Sequence, residues 1–143
     1  MKVTQSPDCC TVNISNKLAE IRNVAGVVDE LSSEWKFLPK LSKQLNLAIE
    51  EVVSNIIFYA YSDKKEHIII IEIQNLDKGI CIQITDDGAF FNLLESDSDI
   101  DFNTSIEERK IGGLGIHILK TLVDEIHYER RGNLNIVKFT KYF

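Results

Sequence analysis

The chain has 143 residues, of which 44% are hydrophobic and 27% are charged, with a formal net charge of −6. This length and composition indicate one globular domain with a buried core, and the acidic balance argues against binding to the phosphate backbone of nucleic acid, which requires a basic face. No apolar run approaches membrane-spanning length, and the N-terminal residues lack the apolar segment of a signal peptide. We therefore expect a cytoplasmic protein that directly contacts neither a membrane nor nucleic acid.

The cysteines and histidines follow no metal-binding pattern. Cys9, Cys10 and Cys81 form neither a CxxC pair nor an even set. The adjacent Cys9 and Cys10 would point to opposite faces of a strand, and we interpret all three as small core or surface residues. The three histidines are scattered without HExxH-type spacing, so we predict no zinc site.

The first half of the chain predicts a strand and two helices. Ser15 or Asn16 is suited to cap the first helix, because a short polar side chain can accept a hydrogen bond from a free helical N–H group. Pro39 suits the first turn of the second helix. The predicted elements are a strand at 9–15, a helix at about 17–34, and a helix from 39 to about 61–63.

The second half predicts two β-hairpins separated by a loop and a helix. An acidic, aperiodic stretch from Phe90 to Lys110 is unusually long for a loop in a compact domain, and such loops usually carry function. The remaining predicted elements are strands at 67–74 and 80–85, a helix from about 112 to 125, and strands at 126–129 and 134–142. This order predicts an α/β fold of the α+β two-layer type, a mostly antiparallel sheet covered on one face by helices.

Two polar residues lie beside the apolar stripe of the second helix. Glu51 and Asn55 are four residues apart and therefore sit one above the other. A carboxylate there is costly unless it meets a cation, a hydrogen-bond partner or water. Glu50 lies about 140° around the helix from Asn55, but Glu51 only about 40°, so one cleft can use Glu51 and Asn55 together. Judged singly, each could equally be solvated at the helix edge.

Two glycine-containing segments add further candidates. The segment 112–115 (GGLG) at a helix start exposes backbone N–H groups to an anion, although such turns are more often structural and this one fits neither a Walker A nor a Rossmann motif. Asp86 with Gly88 is, alone, more often an ordinary turn. It could instead accept a hydrogen bond from the amine of adenine, with Gly88 admitting the base. Together with Glu51 and Asn55, these segments supply an adenine acceptor, phosphate-binding N–H groups, an oxygen ligand for Mg²⁺ and a possible base.

In chain order, Glu51-x-x-x-Asn55, Asp86-x-Gly88 and Gly113-x-Gly115 resemble the N, G1 and G2 boxes of the GHKL ATP-binding superfamily. That superfamily includes gyrase B, heat-shock chaperones, histidine kinases and mismatch-repair ATPases. Within it, the chain is most similar to the small anti-sigma factor serine/threonine kinases of bacteria. The similarity covers nearly the whole chain and implies a single domain, 1–143, with the Bergerat-type ATP-binding fold.

The resemblance also implies roles for individual residues. Glu51 would be the general base, taking a proton from an attacking serine or threonine hydroxyl, and Asn55 would coordinate the Mg²⁺ that bridges the phosphates of ATP. Asp86 would bind the adenine N6 amine, with Thr140 helping through water and Gly88 beside the base. Most of the catalytic effect would come from positioning and charge neutralisation.

The phosphates would meet the helix start and the segment before it. The resemblance implies that Gly113, Leu114 and Gly115 bind the phosphates and that residues 92–111 form a lid. Lys110, with the adjacent Arg109, is the nearest cation, although a solvated charged pair fits those two residues equally well.

The resemblance further implies a function. It indicates a protein kinase that binds a sigma factor, phosphorylates a small anti-anti-sigma (STAS-type) protein and forms a homodimer. Arg22 on the first helix matches a partner-binding arginine, although an exposed helix charge fits it equally. Ile56 and Tyr59 depart from the family pattern, which usually has a small residue and a histidine there. Alternatives are an ATP-binding module that switches partners without phosphoryl transfer, and a sensor within a phosphorelay.

Overall fold

The computed structural model describes residues 1–95 and 113–143, the first three residues of the second range by their helical backbone only. No helix in these two ranges is long and apolar enough to cross a bilayer. The elements are β1 (Lys2–Ser6), β2 (Cys9–Ser15), α1 (Ala19–Glu34), α2 (Pro39–Tyr59), β3 (Ile68–Leu76), β4 (Gly79–Asp86), α3 (Gly113–Leu122), β5 (Glu125–Arg131) and β6 (Leu134–Tyr142).

The strands form one open sheet with helices on one face. Neighbouring strands are all antiparallel, in the order β1-β2-β3-β4-β6-β5. The alternate residues Ile80, Ile82 and Ile84 of β4 are fully buried and join residues of all three helices in one core. On the opposite face of the sheet, Gln83 is partly exposed, and its Nε2 donates to the carboxylate of Glu72 on the neighbouring strand β3 (2.9 Å). The predicted α/β two-layer sandwich is confirmed.

Helix α2 packs its apolar stripe into this core. Pro39 lies in its first turn, where the N–H that proline lacks would have no helical partner. Leu45, Ile49 and Val52 are at most 1% exposed, as the helical spacing predicts. The helix ends at Tyr59, where the sequence predicts an end near 61–63.

The predicted cap of α1 is wrong. The helix begins at Ala19, and its N-cap residue Leu18 makes no side-chain capping hydrogen bond. Asn16 instead joins the segment before β3: its Nδ2 donates to the Lys65 carbonyl (3.3 Å), and its Oδ1 accepts from the His67 N–H (3.0 Å). A tertiary contact therefore uses the side chain that local sequence rules assign to the helix.

Two other element boundaries differ from the prediction. The sequence pattern does not predict strand β1, because all five of its residues are exposed at the sheet edge and show no alternation of apolar and polar residues. Helix α3 ends at Leu122 instead of about residue 125. The N–H of Asp124 donates to the Thr140 carbonyl (2.9 Å), so the chain has already joined the sheet there.

Candidate functional site

Asp86 is the last residue of β4, and its carboxylate is almost completely buried, at 2% exposure. Its Oδ1 accepts hydrogen bonds from the Gly88 N–H (2.8 Å) and the Asn135 Nδ2 (3.0 Å). Its Oδ2 accepts none from the described parts of the chain. Burial raises the pKa of Asp86 because the charged form loses hydration, and the two N–H donors oppose that rise. One oxygen is thus held in place and the other remains an open acceptor.

The turn after Asp86 docks on the end of α2. A Cβ added to Gly88 would lie 2.5 Å from the Ala60 carbonyl oxygen and 2.6 Å from the Ala60 Cβ. The next residue, Ala89, donates its N–H to the same carbonyl (2.8 Å). The φ of Gly88 is not in the left-handed region. Glycine is therefore required here for close approach to the helix, a structural role that the sequence does not reveal.

This docking places the Asp86 turn at the end of the helix that carries the predicted Glu51 and Asn55 pair. Asn55 lies five residues before Ala60, or about 7.5 Å along the helix axis. Asn55 is only 3% exposed, and its Nδ2 donates to the Glu51 carbonyl (2.5 Å). That bond uses the amide nitrogen alone, and no described residue donates to Asn55 Oδ1. An oriented amide oxygen that no described residue contacts by a hydrogen bond suits a hard cation such as Mg²⁺.

Glu51 is half-buried beside Asn55, whereas Glu50 is exposed, as the helical geometry predicts. Loss of hydration, and secondarily the charge of Glu50, raises the pKa of the Glu51 carboxyl. A carboxylate with a raised pKa is a better proton acceptor near neutral pH.

Helix α3 begins at Gly113 and packs against α2. Ile116 and Leu119 are fully buried in the shared core. The segment Gly113-Leu114-Gly115 therefore forms the first turn of a helix docked beside the Glu51–Asn55 helix, and N–H groups in a first turn have no intrahelical partner. The predicted phosphate cation Lys110 lies outside the described residues.

Other predicted residues lie outside this cluster or are only partly described. Within the predicted lid, 92–111, the structure describes 92–95, where Leu93 is buried in the core. Ile56 is 1% exposed and packs in the core. The Tyr59 ring contacts the Phe91 ring, with centroids 5.5 Å apart. Arg22 is exposed on α1.

Thr140, which the resemblance implies would help Asp86 bind adenine through water, does not lie beside Asp86. In the β4–β6 register Thr140 pairs with Cys81, whereas Asp86 pairs with Asn135. Thr140 is therefore five residues away, about 16 Å along the strand. The residue that contacts Asp86 from β6 is Asn135, which is 2% exposed.

Asn135 is not among the site residues predicted from the sequence, although the sequence contains a signal for it. On β6, Asn135 precedes the buried residues Val137 and Phe139 at alternate positions. A polar residue in an inward-facing position of a strand requires hydrogen-bond partners. Its partners here include Asp86, Tyr128 and Arg130.

Known proteins are similar in sequence to most of this chain. A family model described as a histidine kinase-like ATPase domain matches residues 14–141. The chain is 33% identical over 99 residues to an anti-sigma F factor of Caldanaerobacter subterraneus, covering 68% of each protein. It is 24% identical over 115 residues to the serine-protein kinase RsbW of Listeria monocytogenes, covering 78% of this chain and 73% of that protein.

A solved structure shares the fold. The histidine kinase domain of a blue-light-activated histidine kinase from Erythrobacter litoralis matches with a TM-score of 0.53 at 17% identity, covering 87% of this chain and 60% of that one. The chain thus spans less than two thirds of that structure. The family model covers well over half of the chain and agrees with the GHKL resemblance of the motifs. This protein therefore belongs to the family of histidine kinase-like ATPase domains.

Proposed function

We propose that this protein is an anti-sigma factor serine/threonine kinase, which binds Mg-ATP and phosphorylates a small STAS-type anti-anti-sigma protein. The observation that carries the proposal is the state of Asp86. Its carboxylate is buried, with two N–H groups bonded to one oxygen and no described partner on the other. The second oxygen is thus an open acceptor, and the N6 amine of adenine is a donor that would complete its hydrogen bonding.

Helices α2 and α3 supply groups for the rest of the nucleotide. Asn55 offers an amide oxygen, oriented by the bond from its Nδ2 to the Glu51 carbonyl, as the ligand for Mg²⁺. Bound Mg²⁺ would neutralise charge on the phosphates. The N–H groups of Gly113-Leu114-Gly115 would bind the phosphates at the positive end of α3. Lys110 and the lid, 92–111, would complete the site.

Glu51 has the environment of a general base. Its half-buried carboxylate, with a raised pKa, would accept the proton of a partner's serine or threonine hydroxyl as that oxygen attacks the γ-phosphorus, while the bond between the γ-phosphorus and its bridging oxygen breaks. Phosphoryl transfer requires mainly positioning and charge neutralisation, so the site needs no covalent nucleophile of its own.

The names of the relatives support the class of partner. One is an anti-sigma F factor and another a serine-protein kinase, and we extend both activities to this chain as part of the proposal. We further propose that Arg22, exposed on α1, contacts the partner, that residues 1–143 act as one domain in the cytoplasm, and that the protein is a homodimer.

A transfer assay with labelled ATP, Mg²⁺ and the STAS-type protein of the same organism tests this function. Glu51→Gln should reduce transfer at least about 100-fold, the usual effect of a general base, while ATP affinity stays within about twofold. Glu50→Gln, one residue away and exposed, is the matched control and should transfer normally. Binding of ATP by the wild type without transfer to any STAS-type protein would contradict the kinase and favour the partner-switching module.

The Mg²⁺ ligand requires a separate measurement. Asn55→Ala should lower the affinity for Mg-ATP and abolish its dependence on Mg²⁺, measured by calorimetry with and without the metal. An unchanged affinity for Mg-ATP in a folded Asn55→Ala protein would show that this helix does not line the nucleotide site.

A further inference from the structure

The Asn135 side chain makes five hydrogen bonds to described residues, and they determine which way its amide points. Its Nδ2 donates to Asp86 Oδ1 (3.0 Å) and to the Ala89 carbonyl (2.8 Å). Its Oδ1 accepts from the Tyr128 hydroxyl (2.5 Å), Arg130 Nη1 (3.2 Å) and the Phe91 N–H (3.2 Å). A flipped amide would be opposed by two acceptors, Asp86 Oδ1 and the Ala89 carbonyl, and by two groups that only donate, Arg130 and the Phe91 N–H. The Tyr128 hydroxyl can donate or accept and then donates to the oxygen.

Arg130 adds a second attachment to the same turn. Its Nη1 donates to the Gly88 carbonyl (2.8 Å) as well as to Asn135. The Tyr128 ring meets the Phe90 ring edge-on, with centroids 5.9 Å apart. The turn that follows β4 is thereby held at consecutive points by side chains of β5 and β6. These three side chains, Tyr128, Arg130 and Asn135, are called the clamp below.

The clamp determines what Asp86 presents to a ligand. Because the Asn135 amide and the Gly88 N–H both bond Oδ1, the oxygen available to a base is Oδ2. An ionised carboxylate only accepts hydrogen bonds. It can pair with the 6-amino group of adenine but not with the 6-oxo group of guanine or hypoxanthine, which is itself an acceptor. Discrimination of this kind is strong because a mismatch leaves a buried group unpaired.

We propose that Tyr128, Arg130 and Asn135 are positioning residues that make the nucleotide site selective for adenine over 6-oxopurines, by keeping Asp86 ionised with Oδ2 towards the base. This inference rests on the proposed nucleotide site and assigns its specificity to residues outside the N, G1 and G2 motifs.

The charged and titratable groups around Asp86 give the selectivity a pH dependence. Burial and the neighbouring Asp87 favour the neutral carboxyl, whereas the Asn135 N–H, the Gly88 N–H and the Arg130 charge favour the carboxylate. Tyr61, from the segment after α2, and Tyr128, from β5, face the same carboxyl, and burial raises the pKa of both phenols. They therefore stay neutral near pH 7, so Asp86 is the first of these three groups to change charge as the pH falls.

Protonation would convert Asp86 Oδ2 into a donor, which fits a 6-oxo group. Loss of the Asn135 N–H raises the pKa of Asp86 further, because one of the groups that stabilise the carboxylate is gone. Asn135→Leu should therefore weaken ADP binding and relax selectivity, and both effects should extend to higher pH than in the wild type.

Calorimetric titration of the folded protein with ADP and with inosine diphosphate, from pH 5.5 to 8.5, tests the clamp. The wild type should prefer ADP at pH 7.5 and lose that preference as the pH falls. Asn135→Leu should reduce the ADP-to-IDP affinity ratio about tenfold at pH 7.5, the effect of one hydrogen bond to a charged group, and shift its pH midpoint upwards. Asn133→Leu, at an exposed turn position, is the control and should behave as wild type.

Tyr128→Phe removes one hydroxyl and keeps the ring, so it provides the test if Asn135→Leu does not fold. It should lower the ADP-to-IDP ratio a few-fold in the same direction. A folded variant of either kind with the wild-type ratio and pH profile would overturn the role of the clamp while leaving the nucleotide site intact. A wild type that binds neither nucleotide would overturn the proposed function itself.

Discussion

Replacing Gly88 by alanine tests how the Asp86 turn is held against α2. The added methyl group would lie 2.5 Å from the Ala60 carbonyl oxygen and 2.6 Å from the Ala60 Cβ. Neither atom can rotate away, since one belongs to the backbone and the other is attached to it directly. Relief of the overlap requires the turn to move off the helix, which also weakens the bond from the Ala89 N–H to the Ala60 carbonyl (2.8 Å).

The expected cost follows from these two contacts. Overpacking of this kind costs about 1–3 kcal/mol, and a weakened backbone hydrogen bond adds about 1 kcal/mol, so Gly88→Ala should destabilise the fold by about 2–4 kcal/mol. For a chain of 143 residues, 1 kcal/mol corresponds to about 3 °C in Tm. The variant should therefore melt roughly 6–12 °C below the wild type and bind ADP more weakly, because Asp86 shares the displaced turn.

Gly26→Ala is the matched control, the same substitution in a different environment. Gly26 is exposed within α1, and a Cβ there would meet nothing within 4 Å. Alanine should stabilise this helix by about 0.5–1 kcal/mol, because glycine loses more conformational entropy on folding. Urea unfolding followed by circular dichroism measures both variants. A Gly88→Ala protein as stable as the wild type would refute the close docking of the turn on α2.

Two further predictions concern His67, which lies near this turn, and Thr140, which lies towards the other end of β6. The His67 ring contacts Asp63 (2.7 Å) and Asp87 (3.2 Å), and the bond to Asp63 contributes most to its raised pKa. The wild type should therefore exceed His67→Gln in stability by its full amount below about pH 6.5, and this difference should fall as the pH rises through the folded-state pKa of His67. Equal differences in urea midpoint between the two proteins at pH 5.5 and pH 8.5 would contradict this. Thr140→Val should leave the ADP affinity unchanged in calorimetry, because Thr140 pairs with Cys81, not with Asp86; a tenfold loss would show that Thr140 acts at the base.

The periodic parts of this fold follow from the sequence, because burial imposes a local pattern. Ile80, Ile82 and Ile84 alternate towards the core, and Pro39 marks the start of α2. Strand β1 could not be predicted in this way, because an exposed edge strand buries neither face and shows no alternation. The cap of α1 failed for a different reason: Asn16 makes its hydrogen bonds to a distant segment of the chain.

Some features of the candidate site likewise follow from local sequence pattern, and others depend on tertiary contacts. The helical period alone selects Glu51 and not Glu50 as the companion of Asn55, and the sequence places Asp86 at a strand end. Which residue of β6 meets Asp86 depends on the register between two strands about fifty positions apart, and that register selects Asn135. The need for glycine at position 88 likewise arises only when the turn meets Ala60. Sequence periodicity determines which faces are buried, whereas contacts between distant segments depend on how those faces pack.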